Sequence, residues 1–140
     1  MWPIVLLSLA MNLLAPATRD VVTISYEGHL HALINQTRDA QGLASLAVDA
    51  SLTRVARAHS DRIAAAGVVS HTPSLHEVLG GWTVLGENVA MASTVGDVFF
   101  YFMDSAKHRA LIQDAGFTHM GAGVTDASGT LFVTVWFGRR

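Results

Sequence analysis

The segment Leu131-Phe-Val-Thr-Val-Trp-Phe137 is apolar on both of its alternating sets of side chains. Successive side chains of an extended chain point to opposite faces, so Leu131, Val133, Val135 and Phe137 share one face and Phe132 and Trp136 the other. A strand of this kind needs cover on both sides. That excludes a sheet with one solvated face and asks for helices above and below. The upstream sequence supplies them. Leu30, Leu33, Ile34 and Thr37 recur at helical spacing and predict a helix from Tyr26 to Gln41, with Gly42 as its stop. Asp49 stands as the N-cap of a second helix that carries Leu52, Ala56, His59 and Ile63 on one face and Thr53, Arg57 and Asp61 on the other, ending at Gly67. Ser74 to Leu79 predicts a short helical turn. Thr94 and Asp97 open a helix striped by Val95, Val98, Phe99 and Phe102, and Ser105 recaps a further short one from Ala106 to about Gln113. Two β-rich runs around Asp126-Ala-Ser-Gly129 close the chain as a hairpin. The expected class is α+β, a small antiparallel sheet sandwiched between helix layers.

With 51% hydrophobic and only 14% charged residues, the 140-residue chain has material for one core. A net charge of −2 provides no basic field, which argues against nucleic acid as a partner. Cysteine is absent, so disulfides and a lipidated cysteine are excluded. The first seventeen residues, MWPIVLLSLAMNLLAPA, carry no charge. Their apolar run, Ile4 to Leu14, is shorter than the ~20 residues of a membrane span, and Ala15-Pro-Ala17 has the small-x-small pattern of a signal-peptidase site. Residues 1–17 are therefore expected to be a signal peptide cut after Ala17. The rival reading is an uncleaved N-terminal anchor, because no Lys or Arg precedes the run; only in that form would the chain hold a membrane. Residues 18–25 read as a connector and 26–140 as the folded domain.

Within WTVLGENVAMA, residues 82 to 92, alternation sets Glu87 on a face with Thr83, Leu85, Val89 and Met91. A buried carboxylate without partners costs several kcal/mol, so Glu87 either reaches water at a strand end or has partners elsewhere. Seven histidines are the natural candidates. His29 and His31 read as solvated at the start of the first helix, His59 as a satisfied core residue, and His119 as packed beside Phe117 and Gly121. His71 differs, lying in the loop Ser70-His-Thr72 before Pro73, and so does His108, in the first turn of the helix capped by Ser105. There the helix dipole disfavours the imidazolium. Each is open to two readings, a ligand or base and a hydrogen bond that holds a loop. Other chemistry is missing: His76-Glu77 lacks the second histidine of a zinc-protease helix, and no G-x-S-x-G elbow, phosphate loop or dinucleotide fingerprint is present. Gly121-Ala-Gly123 signifies close backbone packing. Lys107 and Arg109 read as a solvated pair in preference to an anion site.

LINQTRDAQGL (33 to 43), the helix from Asp49 to Gly67 leading into SHT (70 to 72), GENVA (86 to 90), DSAKHRALI (104 to 112), GAGV (121 to 124) and the closing LFVTVWFG occur in an order and spacing that resembles the bacterial branch of the CAP superfamily, the cysteine-rich secretory, antigen 5 and pathogenesis-related 1 proteins. The resemblance runs from about Leu30 to Arg140. It implies a three-layer α-β-α sandwich, a secreted or cell-envelope location, and a cleft in which two histidines and acidic residues converge and take a divalent cation. Matched residue by residue, those positions are His71, Glu87 and His108. Animal and plant members bring a second glutamate from the helix before His108, where this chain has Ser105 with Asp104 adjacent. Bacterial relatives usually read S-P-G-H-R, whereas Ala106 and Lys107 stand here. The expected function is binding of a lipid, peptide or cell-wall component in that cleft, with zinc or another divalent ion as an optional partner that folding does not require. The alternatives are a zinc hydrolase using the same residues, with its fourth position open to water, and an envelope scaffold whose triad only ties loops together.

Overall fold

The computed structural model describes residues 19–140, so the leader and its cleavage site lie outside the described residues. The elements are α1 (Val21–Ala40), β1 (Ala47–Val48), α2 (Ala50–Ala66), α3 (Leu75–Val78), β2 (Val84–Ala92), α4 (Val95–Asp104), α5 (Ala106–Ile112), β3 (His119–Ala127) and β4 (Thr130–Arg139). The sheet has the order β1-β3-β4-β2. Both β4 pairings are antiparallel, as expected, but β1 runs parallel to β3 through Ala47↔His119 and Val48↔Met120. Two residues are too few for alternation to announce a strand.

Strand β4 is covered on both sides. Leu131, Val133, Val135 and Phe137 join Leu30 and Ile34 of α1, Val98 and Phe102 of α4 and Ile112 of α5, whereas Trp136 packs with Leu52, Val55 and Ala56 of α2 and with Trp82. The result is the expected sandwich, with α1, α4 and α5 on one face and α2 and α3 on the other. Strand β3 shares the arrangement: Met120, Ala122 and Val124 enter the first core, and Gly121 and Gly123 face α2. A β-carbon on Gly121 would stand 2.2 Å from the Thr53 nitrogen. The glycines let the helix backbone lie directly on the strand. The hairpin closes more tightly than expected, because Ala127 pairs with Thr130 and leaves only Ser128 (φ 54°) and Gly129 (φ 90°) as a two-residue turn.

Residues 21–25 are helix, not connector. Asp20 caps α1 by accepting from the Thr23 N–H at 2.8 Å, a bond that also holds its carboxyl below the usual range. The β-branched run Val21-Val-Thr-Ile24 reads as extended, but long-range charges favour the helix. Strand β1 covers only His119 and Met120 on the outer edge of β3; further along, the Val124 N–H donates to Glu27 and the Val124 carbonyl accepts from Arg19. Glu27, buried, takes Arg57 of α2 in a two-pronged pair (2.6 and 3.1 Å), and Arg19 reaches Asp61 at 3.0 Å. These pairs close an otherwise open sheet edge and join α1 to α2 around it. No helix among the described residues is long and apolar enough to cross a membrane.

Candidate functional site

Glu87 lies opposite Trp136 in the β2–β4 ladder, so its side chain projects to the α2 face, where it is only 2% exposed. Its partners come from the loop after α2. Oε1 accepts the Thr72 N–H at 2.8 Å and meets His71 Nδ1 at 2.9 Å, while Oε2 accepts the Thr72 hydroxyl at 2.5 Å. Three bonds satisfy a buried carboxylate that would otherwise be costly. A carboxylate only accepts, so His71 Nδ1 carries a proton, and in the neutral ring Nε2 keeps its lone pair. The His71 side chain is 63% exposed, so this nitrogen serves the surface.

The next residue works on the opposite face. Asn88, wholly buried, donates through Nδ2 to the His108 carbonyl at 3.0 Å. Ser105 caps α5 by accepting the His108 N–H, and Arg38, buried at 1% exposure, donates to the carbonyls of Ile112 and Asp114 beyond the other end of that helix. The edge strand β2 thus grips one histidine segment on each face.

His71 and Glu87 are in contact, as the resemblance implied. His108 is not bonded to Glu87; its ring stacks edge-on against Phe102 at 5.3 Å, with Nδ1 buried and without a hydrogen-bond partner among the described residues. Burial, and then the nearby His71, hold its pKa below the usual range. A place in the first turn of α5 predicts the same direction; desolvation is the first cause. Ser105 is occupied as a cap and Asp104 is exposed. Among the described residues no group of three or more His, Cys, Asp or Glu side chains is already placed to hold a metal ion. Thr72 and Asn88 escaped the sequence reading, although each adjoins a residue it singled out.

The remaining histidines divide. His59 is buried and bonded, and His119 packs against Trp82 at 5.5 Å, both as expected. His29 is exposed, but His31 is not simply solvated: it is half-buried, and its Nε2 is buried without a partner among the described residues. Arg109 donates to the Met103 carbonyl at 2.7 Å, which ties it to α4 and leaves no paired anion site with Lys107.

Burial of His31 and His108 fixes a pH dependence. Both pKa values are lowered in the folded state, chiefly by desolvation. The unfolded chain protonates these rings near 6.5 and the folded chain resists, so stability is full above about 6.5 and declines as pH falls below it. The urea midpoint is expected to drop between about pH 7 and pH 5, and to drop less in His31→Gln. Equal pH slopes in the two proteins would contradict the burial of that ring.

Known proteins agree with this architecture. An outer surface protein of Borrelia burgdorferi superposes with a TM-score of 0.78 at 18% identity, covering 84% of this chain and 95% of that one. An extracellular SCP-domain protein of Bacillus anthracis superposes with a TM-score of 0.77 at 27% identity, covering 90% of this chain and 45% of that one. Protein YkwD of Bacillus subtilis is 29% identical over 124 residues, 82% of this chain; the chain spans 48% of the length of that relative. Residues 31–137 match the cysteine-rich secretory protein family, CAP, a span that takes in His71, Glu87 and His108. With the sandwich, the histidine–glutamate pair and this match in agreement, the chain belongs to the CAP family.

Proposed function

We propose that the chain is an exported CAP domain whose His71–Glu87–His108 cleft binds a lipid, peptide or cell-wall ligand, with a divalent cation, zinc foremost, as an optional partner, and that it is not a hydrolase. The extracellular and outer-surface neighbours and the uncharged leader support export. One observation carries the choice of binding over hydrolysis: Glu87 is only 2% exposed and already accepts three bonds from Thr72 and His71. A carboxylate so buried gives a water little access to its remaining lone pair, which makes it a poor base for hydrolysis. It acts instead as the group behind the ligand, orienting the His71 ring.

The donor set fits zinc in kind. His71 Nε2 and the neutral imidazole of His108 would hold the ion, with Glu87 one bond behind His71 instead of on the metal. Bound zinc would supply a Lewis acid for an oxygen of the ligand. The two apolar cores are held by packing of the helices on the sheet, so chelator is expected to leave the protein folded. Titration calorimetry with zinc on wild type, His71→Ala, Glu87→Gln and His108→Ala tests the reading. Wild type binds, either alanine variant abolishes the heat, Glu87→Gln weakens affinity by about 10–100-fold, and affinity falls as pH drops through about 6.5. Equal binding by all four proteins contradicts the site. Metal-dependent turnover of a peptide or ester, lost in each variant, would make the protein a hydrolase, and no heat in wild type would leave the three residues as a tie between loops.

A further inference from the structure

Between Gly67, which ends α2, and Ser74, which caps α3, the chain carries His71 on a loop with few holds on the body of the protein. Val68 bonds back to Ile63 at the end of α2. Beyond it, two backbone groups in the loop are fixed by side chains from other elements: the Thr72 N–H, which donates to Glu87, and the Ser70 carbonyl, which meets His59 Nε2 at 2.6 Å. His59 lies inside α2 at 4% exposure, two turns before the end of that helix. Its other nitrogen, Nδ1, faces Arg62 Nη2 at 3.3 Å. A guanidinium only donates, so Nδ1 must accept; the ring proton then belongs to Nε2, which donates to Ser70. The tautomer, and with it the direction of the bond into the loop, is set by a residue one helical turn away.

We infer that His59 is a positioning residue for the cleft: with Arg62 behind it, it pins the Ser70 carbonyl and so holds His71 where Glu87 can orient it. Any buried imidazole needs partners for its two nitrogens; what makes this more than core packing is where the short Nε2 bond goes, to the backbone of the loop one residue before His71. The role rests on the proposed cleft for its functional meaning, but its structural effect is read independently.

The test compares His59→Leu, which keeps volume and removes both bonds, with His59→Gln, whose amide restores a donor toward Ser70, and with Arg62→Leu at the exposed end of the pair. Two readouts are taken, zinc affinity by calorimetry and hydrogen exchange of the Thr72 amide. His59→Leu is expected to weaken zinc binding by about tenfold or more and to speed exchange at Thr72 while amides in the middle of α1 and β4 keep their protection. His59→Gln recovers most of both, and Arg62→Leu gives a smaller change in the same direction. Thr72 exchange at the wild-type rate in His59→Leu overturns the inference. Should that variant not fold, wild-type exchange in Arg62→Leu overturns it instead. If wild type itself takes up no zinc, the metal part of the cleft reading fails alone, and faster Thr72 exchange rescued by glutamine still assigns His59 its place.

Discussion

Gly123→Ala is expected to lower stability by about 3–4 kcal/mol, at the upper end of overpacking costs. The added methyl carbon would stand 2.3 Å from the Arg57 nitrogen and 2.5 Å from the Ala56 carbonyl carbon, both backbone atoms of α2. A side chain can rotate away from an intruding atom; a helix backbone cannot. Strand β3 is hydrogen-bonded to β4 at its side and backed by the core with α1 on its opposite face, so the clash resolves only if α2 lifts. That would open the contacts of Leu52, Val55 and Ala56 with Trp136, and would pull Arg57 from Glu27 on the sheet edge. Urea unfolding followed by tryptophan fluorescence measures the loss, and a change below about 1 kcal/mol would mean that α2 does not lie on β3 as closely as described.

Arg38→Met is expected to cost about 3 kcal/mol, near the penalty for losing a buried charged donor that serves three backbone carbonyls. The guanidinium is almost wholly buried and, among the described residues, forms no salt bridge. It donates to Ala44 at 2.8 Å, Ile112 at 3.0 Å and Asp114 at 2.8 Å, all backbone carbonyls. Burial disfavours its charge and lowers its pKa, with the Asp114 charge opposing the shift; an arginine nonetheless stays protonated. Methionine preserves much of the stem volume and removes every donor, so the three carbonyls lose their partner together. Because two of them belong to the segment that ends α5, the variant is also expected to raise amide exchange through α5 and loosen the backbone of His108. An unchanged melting temperature would contradict the burial of Arg38.

Neither effect is legible in the sequence to the same degree. The glycine pair was read there as a mark of close packing, since glycine inside a strand has few other uses, but nothing in the sequence names α2 as the neighbour. Arg38, in the last turn of a helix, resembles an ordinary solvated cation; its burial depends on which face of α1 meets α5. Caps and stops were readable because their chemistry is local: Asp49, Gly67, Thr94 and Ser105 stand at helix ends in the structure. The start of α1 was missed for the opposite reason. Its β-branched residues favour extension, and the groups that hold it, Arg19 with Asp61 and Glu27 with Arg57, pair across 42 and 30 residues. Glu87 stood out as a carboxylate within an apolar run, and the resemblance supplied His71 as its partner. Thr72, which gives Glu87 two of its three bonds, carries no signal of its own, because a threonine before a proline in a loop is unremarkable until its neighbour across the fold is known.

The proposed site requires that Glu87 turn His71 so that Nδ1 is spent inside and Nε2 is offered outside, toward His108. Long-range proton–nitrogen correlation spectra of the imidazole rings, taken without metal and through a zinc titration, test it most directly. Without metal, His71 is expected to show a protonated Nδ1 and an unprotonated Nε2, a pattern lost in Glu87→Gln. As zinc is added, the His71 Nε2 signal and one nitrogen of His108 should shift in step, with His71 Nδ1 still protonated and His59 unmoved. A His71 ring protonated at Nε2 in the metal-free protein, or zinc that leaves His71 and His108 both unshifted, would contradict the account.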